Sequence, residues 1–400
     1  MRRSLTFAAA TTLAVLAVGP ARAQPDEEPR ASGLMRSQFG EVAFNIKKFL
    51  TGRNEDTVSI GAFTGPSQMP SSAGPGLARV LTEELEHAGI RVKLRAKIGL
   101  SGTYRPDEVQ VTDPPTAAKF QTLRAVVKTR VEDESGKVLV EFEKTSYDNA
   151  EVATLLGLTY HRPPNALDRE GRDNPKAEAE ALIQSLKNPK VAVAGSVVRS
   201  AADSPYGIEV LIKGPGGQYQ PRAATVEEGL AFVPIKRGEV YAIRITNRTR
   251  FQAACELSID GLSTFAFSSI RKARRWIVKP NEQVLVQGWH ISSREANEFL
   301  ITEYAKTAVA ELGANPASIG TITAKFTACW DYNDAPPPGE PKQFSPGGIT
   351  VGSSDTSSGN KLGSLPPDGT ARGEKVQVQS QYVEREFGVM RSVVSIRYSK

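Results

Sequence analysis

Cysteine and histidine are scarce in this chain of 400 residues, which has two cysteines, Cys255 and Cys329, and three histidines, His87, His161 and His290. No two histidines stand at i,i+2 or i,i+4 spacing, and no cysteine lies beside any of them. A metal centre is therefore not expected, and no cofactor is implied. The nucleophile elbow G-x-S-x-G is absent, as are the dinucleotide fingerprint G-x-G-x-x-G and a Gly-Lys-Ser/Thr phosphate loop. A strand, a Gly-rich loop and a helix do follow one another over residues 57–87. Without those motifs, Ser71, Ser72 and Pro75 read as capping and first-turn residues. Aromatic residues make up 7% of the chain, yet 40% hydrophobic residues still permits sizeable cores.

One apolar run stands apart. Arg2 and Arg3 precede an uncharged stretch over residues 5–18, followed by Pro20 and Ala21-Arg22-Ala23. This is the pattern of a secretory signal, with cleavage expected after Ala23. The run is shorter than the roughly 20 residues a spanning helix needs. No later stretch is long and apolar enough, so no membrane span is expected. Removing Arg2, Arg3 and Arg22 lowers the formal net charge from +6 to +3. That near balance gives no footprint for nucleic acid. The expected product is an exported protein, periplasmic or extracellular. In an oxidising compartment a disulfide between Cys255 and Cys329 is favoured over two buried thiols, although spacing alone cannot bring their Cα atoms into range.

The length points to two domains, and the fold class expected is α+β. Residues 24–37 are acidic, Pro-containing and aperiodic, a disordered lead-in. Over residues 38–50, Phe39, Val42, Ile46 and Phe49 recur at helical spacing. A strand pattern at 57–63, a helix at 77–87, and alternating runs at 91–104, 120–131 and 137–145 complete an α/β module over 38–148. Its sheet should be mostly antiparallel. Residues 149–189 read as a linker with one short helix. From 190 onward, short alternating runs separated by Gly, Asn, Asp and Pro predict a β-sandwich-like domain reaching residue 400. Within it, 297–312 has helical spacing. Residues 331–374 are crowded with Pro, Gly, Ser and Asp and read as a disordered insertion. Strands are expected at 376–382 and 388–398.

The order of elements over 38–147, with Leu100-Ser101-Gly102-Thr103-Tyr104 and Gly136-Lys137-Val138-Leu139 in its strands, resembles the N-terminal α/β modules of FlgO-like and CsgG-like envelope-assembly proteins. That resemblance implies a place in the cell envelope. The lipidated cysteine of those families has no counterpart here, so their outer-membrane anchor and pore are not carried over. From Tyr206 onward the chain resembles a recurrent domain of uncharacterised exported bacterial proteins. The elements that carry this are Gly238-Glu239-Val240-Tyr241, Ser258-Ile259-Asp260-Gly261-Leu262, Gly288-Trp289-His290 and Val394-Ser395-Ile396-Arg397-Tyr398. It implies no particular activity.

The stretch 240–290 is the best patterned and carries the candidate site residues. Trp289 and His290 end one of its strands, and with Trp276, Phe265 and Phe267 they can form an aromatic platform for a sugar ring. The competing reading puts these aromatics in the core. Arg271, Arg274 and Arg275 form the sharpest basic cluster, suited to anionic partners or to a solvated loop. Asp260-Gly261 reads as a hairpin turn, and Asn247-Arg248-Thr249 matches a glycosylation sequon. Glu83-Glu84 and Glu227-Glu228 are expected on exposed positions. The function expected is a non-enzymatic interaction or structural protein of the envelope, with another envelope protein or a glycan as partner. Two alternatives stand beside it: a carbohydrate or peptidoglycan module using Trp289, His290 and the arginines, and a hydrolase pairing Asp260 with His290. Oligomeric state is left open.

Overall fold

The computed structural model describes residues 35–66, 73–113, 117–270, 273–303, 320–341 and 369–398. The expected signal sequence, most of the lead-in, and Arg271 lie outside these residues. The architecture is α+β, built mostly from sheet.

The first half follows its periodicity closely. Helix α1 (Arg36–Thr51) buries Phe39, Val42, Ala43, Ile46 and Leu50 on one face. It begins inside the stretch read as disordered, so the lead-in is shorter than expected. Strand β1 (Thr57–Thr64), helix α2 (Ala73–His87) and strand β2 (Arg91–Val92) come next. Strands β3 (Ile98–Thr112), β4 (Lys119–Asp133) and β5 (Val138–Ser146) complete a sheet of order β2-β1-β3-β4-β5. β1 is parallel to both β2 and β3, while β3, β4 and β5 pair antiparallel.

The continuous alternation read over 91–104 is broken at 93–97. β2 and β3 lie on opposite edges of β1, and the chain must cross between them. Glu83 and Glu84 are also placed differently from expectation. Both are buried, and Arg36 reaches Glu83 at 2.5 Å and Glu84 at 2.6 Å. Arg79 holds Glu83 at 2.8 Å from one turn away. Two neighbouring carboxylates leave water here because arginines neutralise them.

Residues 149–189 are more structured than a linker. Asp148 caps helix α3 (Asn149–Leu155) by accepting from Glu151 N. Strand β6 (Tyr160–His161) pairs antiparallel with the last strand of the chain. Helix α4 (Pro175–Lys187) starts at an Asn174 cap with Pro at its first position. Val152, Leu155, Leu158, Tyr160 and Leu182 join the same buried cluster as the apolar residues of both halves.

The second half contains β7 (Ala192–Ala194), β8 (Val197–Arg199), β9 (Tyr206–Lys213), β10 (Tyr219–Pro221), β11 (Thr225–Glu227) and β12 (Leu230–Phe232). There follow β13 (Val240–Asn247), β14 (Ala253–Ile259), β15 (Leu262–Ser263), β16 (Trp276–Val278), β17 (Gln283–Val286) and β18 (Gly288–His290). The last are β19 (Glu295–Thr302), β20 (Thr321–Trp330), β21 (Gly369–Gln377) and β22 (Glu386–Arg397). One sheet runs β18-β19-β13-β9-β8-β7, with β10, β17 and β21 joined to it. Another runs β11-β12-β22-β20-β14-β15, with β6 and β16 joined to it.

β13 and β14 look like hairpin neighbours in the sequence, yet they belong to different sheets. The turn between them is held by Asn247, whose Nδ2 donates to the carbonyls of Phe251 at 2.7 Å and of Val278 and Lys279 at 3.1 Å. Asn247 is fully buried, so the sequon is a structural tie. Asp260 and Gly261 do form a tight turn between β14 and β15, with φ of 52° and 77°.

Three expectations near the end of the chain fail, the strand read at 376–382 among them, since β21 covers Gly369–Gln377 and residues 378–385 hold no strand. Residues 295–302 form β19, which is hydrogen-bonded to β13, β18 and β21. Ladder pairing on both edges outweighs the helical spacing read there. The rest of that run, 304–312, lies outside the described residues. The stretch read as a disordered insertion is ordered at both ends. Glu340 is paired with Arg391, and Gly369 already begins β21. Residues 342–368 lie outside the described residues.

Candidate functional site

A cleft of about 430 Å³ opens where β16, β17, β18 and the chain just after β21 converge. Trp276, Leu285, Gln287, His290, Gln377, Gln379 and Ser380 line it. Local sequence explains how its walls form. Asn281 takes φ of 55° in the turn between β16 and β17, a conformation Asn tolerates better than most residues. β17 then pairs with β13 over residues 283–286. Gly288 follows, and a Cβ there would fall 2.0 Å from the Asn297 carbonyl oxygen. Only glycine lets β18 lie this close to β19.

Strand alternation sends the two residues after Gly288 in opposite directions. Trp289 turns into the core. Its Nε1 donates to the Ala371 carbonyl at 3.1 Å, and Phe267 and Phe299 meet its ring edge-on at 5.6 and 5.4 Å. With 0% of its surface exposed, Trp289 has no face to offer a sugar. His290 turns toward the cleft. Its Nδ1 lies 2.9 Å from Ser268 Oγ and its Nε2 lies 3.2 Å from Ser380 Oγ. Phe265 and Trp276 pack against the imidazole at 5.0 and 5.9 Å between ring centroids. Burial pushes the His290 pKa down, which favours the neutral ring. Trp276 is half-buried, and its Nε1 donates to Thr264 Oγ1 at 3.0 Å.

Arg274 and Arg275 do not line this cleft. Arg275 bonds Glu256 at 2.6 Å and lies over the Phe387 ring at 4.1 Å. The Arg274 pKa is lowered to about 10, first by burial and then by neighbouring Arg36, with Glu83 opposing. Arg275 works within the fold, and the solvated-loop reading fails for it.

Asp260 and His290 have separate hydrogen-bond partners. Asp260 is buried and accepts from the backbone N–H groups of Gly320 at 2.6 Å, Thr321 at 3.2 Å and Thr370 at 3.4 Å, and from the Tyr398 hydroxyl. It ties the β14–β15 turn to the starts of β20 and β21. Cys255 and Cys329 are free, buried thiols, so the disulfide is not formed.

Among the described residues, no group of three or more His, Cys, Asp and Glu side chains could hold a metal ion. No described helix is long and apolar enough to cross a membrane. A second depression, lined by Arg53, Glu55, Lys97, Asp133 and Ser135, lies in the first half. Glu55 and Lys97 flank strands and are paired at 3.1 Å, and Asp133 ends β4.

Two of the residues singled out from sequence, Trp276 and His290, thus meet in one cleft. Their companions Ser268, Gln287, Gln377, Gln379 and Ser380 carried no sequence signal. Ser380 is 90 residues from His290 in the chain and belongs to no motif. The chain matches no protein-family model and no curated protein.

Proposed function

We propose that this is an exported protein of the cell envelope that binds a neutral glycan in the Trp276–His290 cleft. The observation that carries this reading is the composition of the lining, which among the described residues holds no Asp, Glu, Lys or Arg side chain. Phosphorylated or acidic ligands call for cations, and metal ions call for carboxylates. A sugar calls for groups that both donate and accept hydrogen bonds, beside an aromatic surface for its C–H face. Gln287, Gln377, Gln379 and Ser380 are such groups, and Trp276 supplies the aromatic surface. The volume lies within the ordinary range for small-ligand sites, about 300–1,000 Å³. The second half is read as a β-sandwich-like domain carrying this site. Stacking of Tyr206 in β9 on Phe326 in β20, at 5.0 Å, supports that arrangement of its two sheets.

The test is a pull-down of the mature chain on insoluble glycans, peptidoglycan included, with tryptophan fluorescence titration using soluble fragments. Trp276→Ala should weaken binding by about tenfold, the worth of one aromatic contact of about 1.4 kcal/mol. Unchanged binding by this variant, or failure of the wild type to bind any neutral glycan, overturns the reading.

A further inference from the structure

We propose that Ser380 is a nucleophile served by His290, and that the cleft cleaves acyl esters carried on its glycan. This departs from the non-enzymatic expectation of the sequence. Its glycan part rests on the binding reading above; its nucleophile does not.

The argument begins with the arrangement of hydroxyls around the imidazole. Ser268 Oγ accepts from the Ile270 backbone N–H at 3.0 Å and donates toward the Ile270 carbonyl at 3.5 Å. Ser268 Oγ, 2.9 Å from Nδ1, is assigned as the acceptor of the ring proton. Nδ1 then carries the ring proton. Nε2 is left with a lone pair facing Ser380 Oγ at 3.2 Å. This is the order required of an activated serine: a nucleophile, a neutral base within hydrogen-bond reach, and a third group that sets the tautomer of the base.

The surroundings hold these groups in place. Ser380 N donates to the Ser293 carbonyl at 2.9 Å, and His290 N donates to the Thr264 carbonyl at 2.8 Å. Both backbones are therefore anchored while the Ser380 side chain lines the cleft. Phe265 and Trp276 pack against the imidazole and hold its plane. Burial keeps the ring unprotonated, the state a general base requires. Gln287, Gln377 and Gln379 line the same cleft, and their carboxamide N–H groups are assigned to a developing oxyanion.

The reaction balances with water as the only co-reactant. Ser380 Oγ adds to the ester carbonyl carbon as its proton passes to His290 Nε2. The adduct collapses, the bond from carbonyl carbon to sugar oxygen breaks, and the proton on Nε2 goes to that oxygen. Water then adds to the acyl-serine, giving a proton to Nε2. That proton returns to Ser380 Oγ as the carboxylic acid leaves.

The experiment treats the full mature chain with a fluorophosphonate probe, maps the modified peptide, and follows hydrolysis of p-nitrophenyl acetate. Labelling at Ser380 is expected. Ser380→Ala should abolish it and slow hydrolysis by about 100-fold or more, at an unchanged melting temperature. Ser268→Ala should lower kcat and leave KM unaltered, which a merely structural role would not do. Absence of label, label on another serine, or wild-type turnover by Ser380→Ala overturns the proposal. Glycan binding without labelling removes the nucleophile alone. Labelling without glycan binding keeps it and removes the glycan.

Discussion

Cys255 and Cys329 lie on adjacent strands of one sheet but three rungs apart. Cys255 faces Phe326 across the β14–β20 ladder, and Cys329 N donates to the Gln252 carbonyl at 3.3 Å. Three rungs amount to roughly 10 Å along a strand, and an odd offset turns the side chains to opposite faces. A disulfide needs Cα atoms within about 7 Å and Cβ atoms pointing together. An oxidising compartment cannot supply either condition.

The thiols should accordingly be silent in the folded protein. Burial pushes the Cys255 pKa well above its ordinary value and that of Cys329 up to about 12. Ellman's reagent is expected to find no reactive thiol in the native chain and two after denaturation, and reductant should leave the melting temperature unchanged. A melting temperature that drops on reduction would show a bridge.

Glu256 gives the fold a defined acid dependence. Its carboxylate meets Arg275 at 2.6 Å and Lys325, its partner across the ladder, at 2.7 Å. Burial raises the Glu256 pKa, but Lys325 and then Arg275 outweigh it and hold the group at about 2, against an ordinary 4.5. A depressed carboxyl stabilises the fold above pH 4.5 and loses that contribution as the pH falls through about 2. Glu256→Gln should therefore cost about 1 kcal/mol at pH 7, a figure reduced for the partial exposure of the pair, and almost nothing near pH 2. Urea midpoints at the two pH values decide it, and an equal cost at both refutes it.

Arg397 is buried without a counter-charge among its hydrogen-bond partners. Its Nη2 donates to the Gly157 carbonyl at 2.9 Å, while Nε and Nη1 have no hydrogen-bond partner among the described residues. Burial lowers its pKa to about 10. A desolvated charge in this state destabilises the fold, and well-packed apolar replacements of buried charged groups have gained about 1–4 kcal/mol. Arg397→Met is expected to raise the urea midpoint. A fall would show that the guanidinium makes a favourable contact outweighing its desolvation.

The local elements were largely legible because period and punctuation are local properties. The apolar faces of α1 and α2, the β4–β5 pair and the Asp260-Gly261 turn all follow from spacing or from residues suited to a positive φ. Misreadings came where distant partners decide. β19 has helical spacing but lies between strands that bond both its edges. Glu83 and Glu84 look like a solvated pair until Arg36, 47 and 48 residues away, closes on them.

The sequence by itself determined which residues alternate, where the chain turns, and that Trp289 and His290 must face opposite ways, since a strand repeats every two residues. Only the tertiary structure decided that Trp289 takes the core side, against Phe267 and Phe299, and that His290 takes the cleft side, between Ser268 and Ser380. It also decided that β13 and β14 part into separate sheets. The physical reason is common to all three. A period of two fixes the relative directions of neighbouring side chains. Which strand each edge bonds, and which face is buried, is set by the packing of residues far apart in the chain.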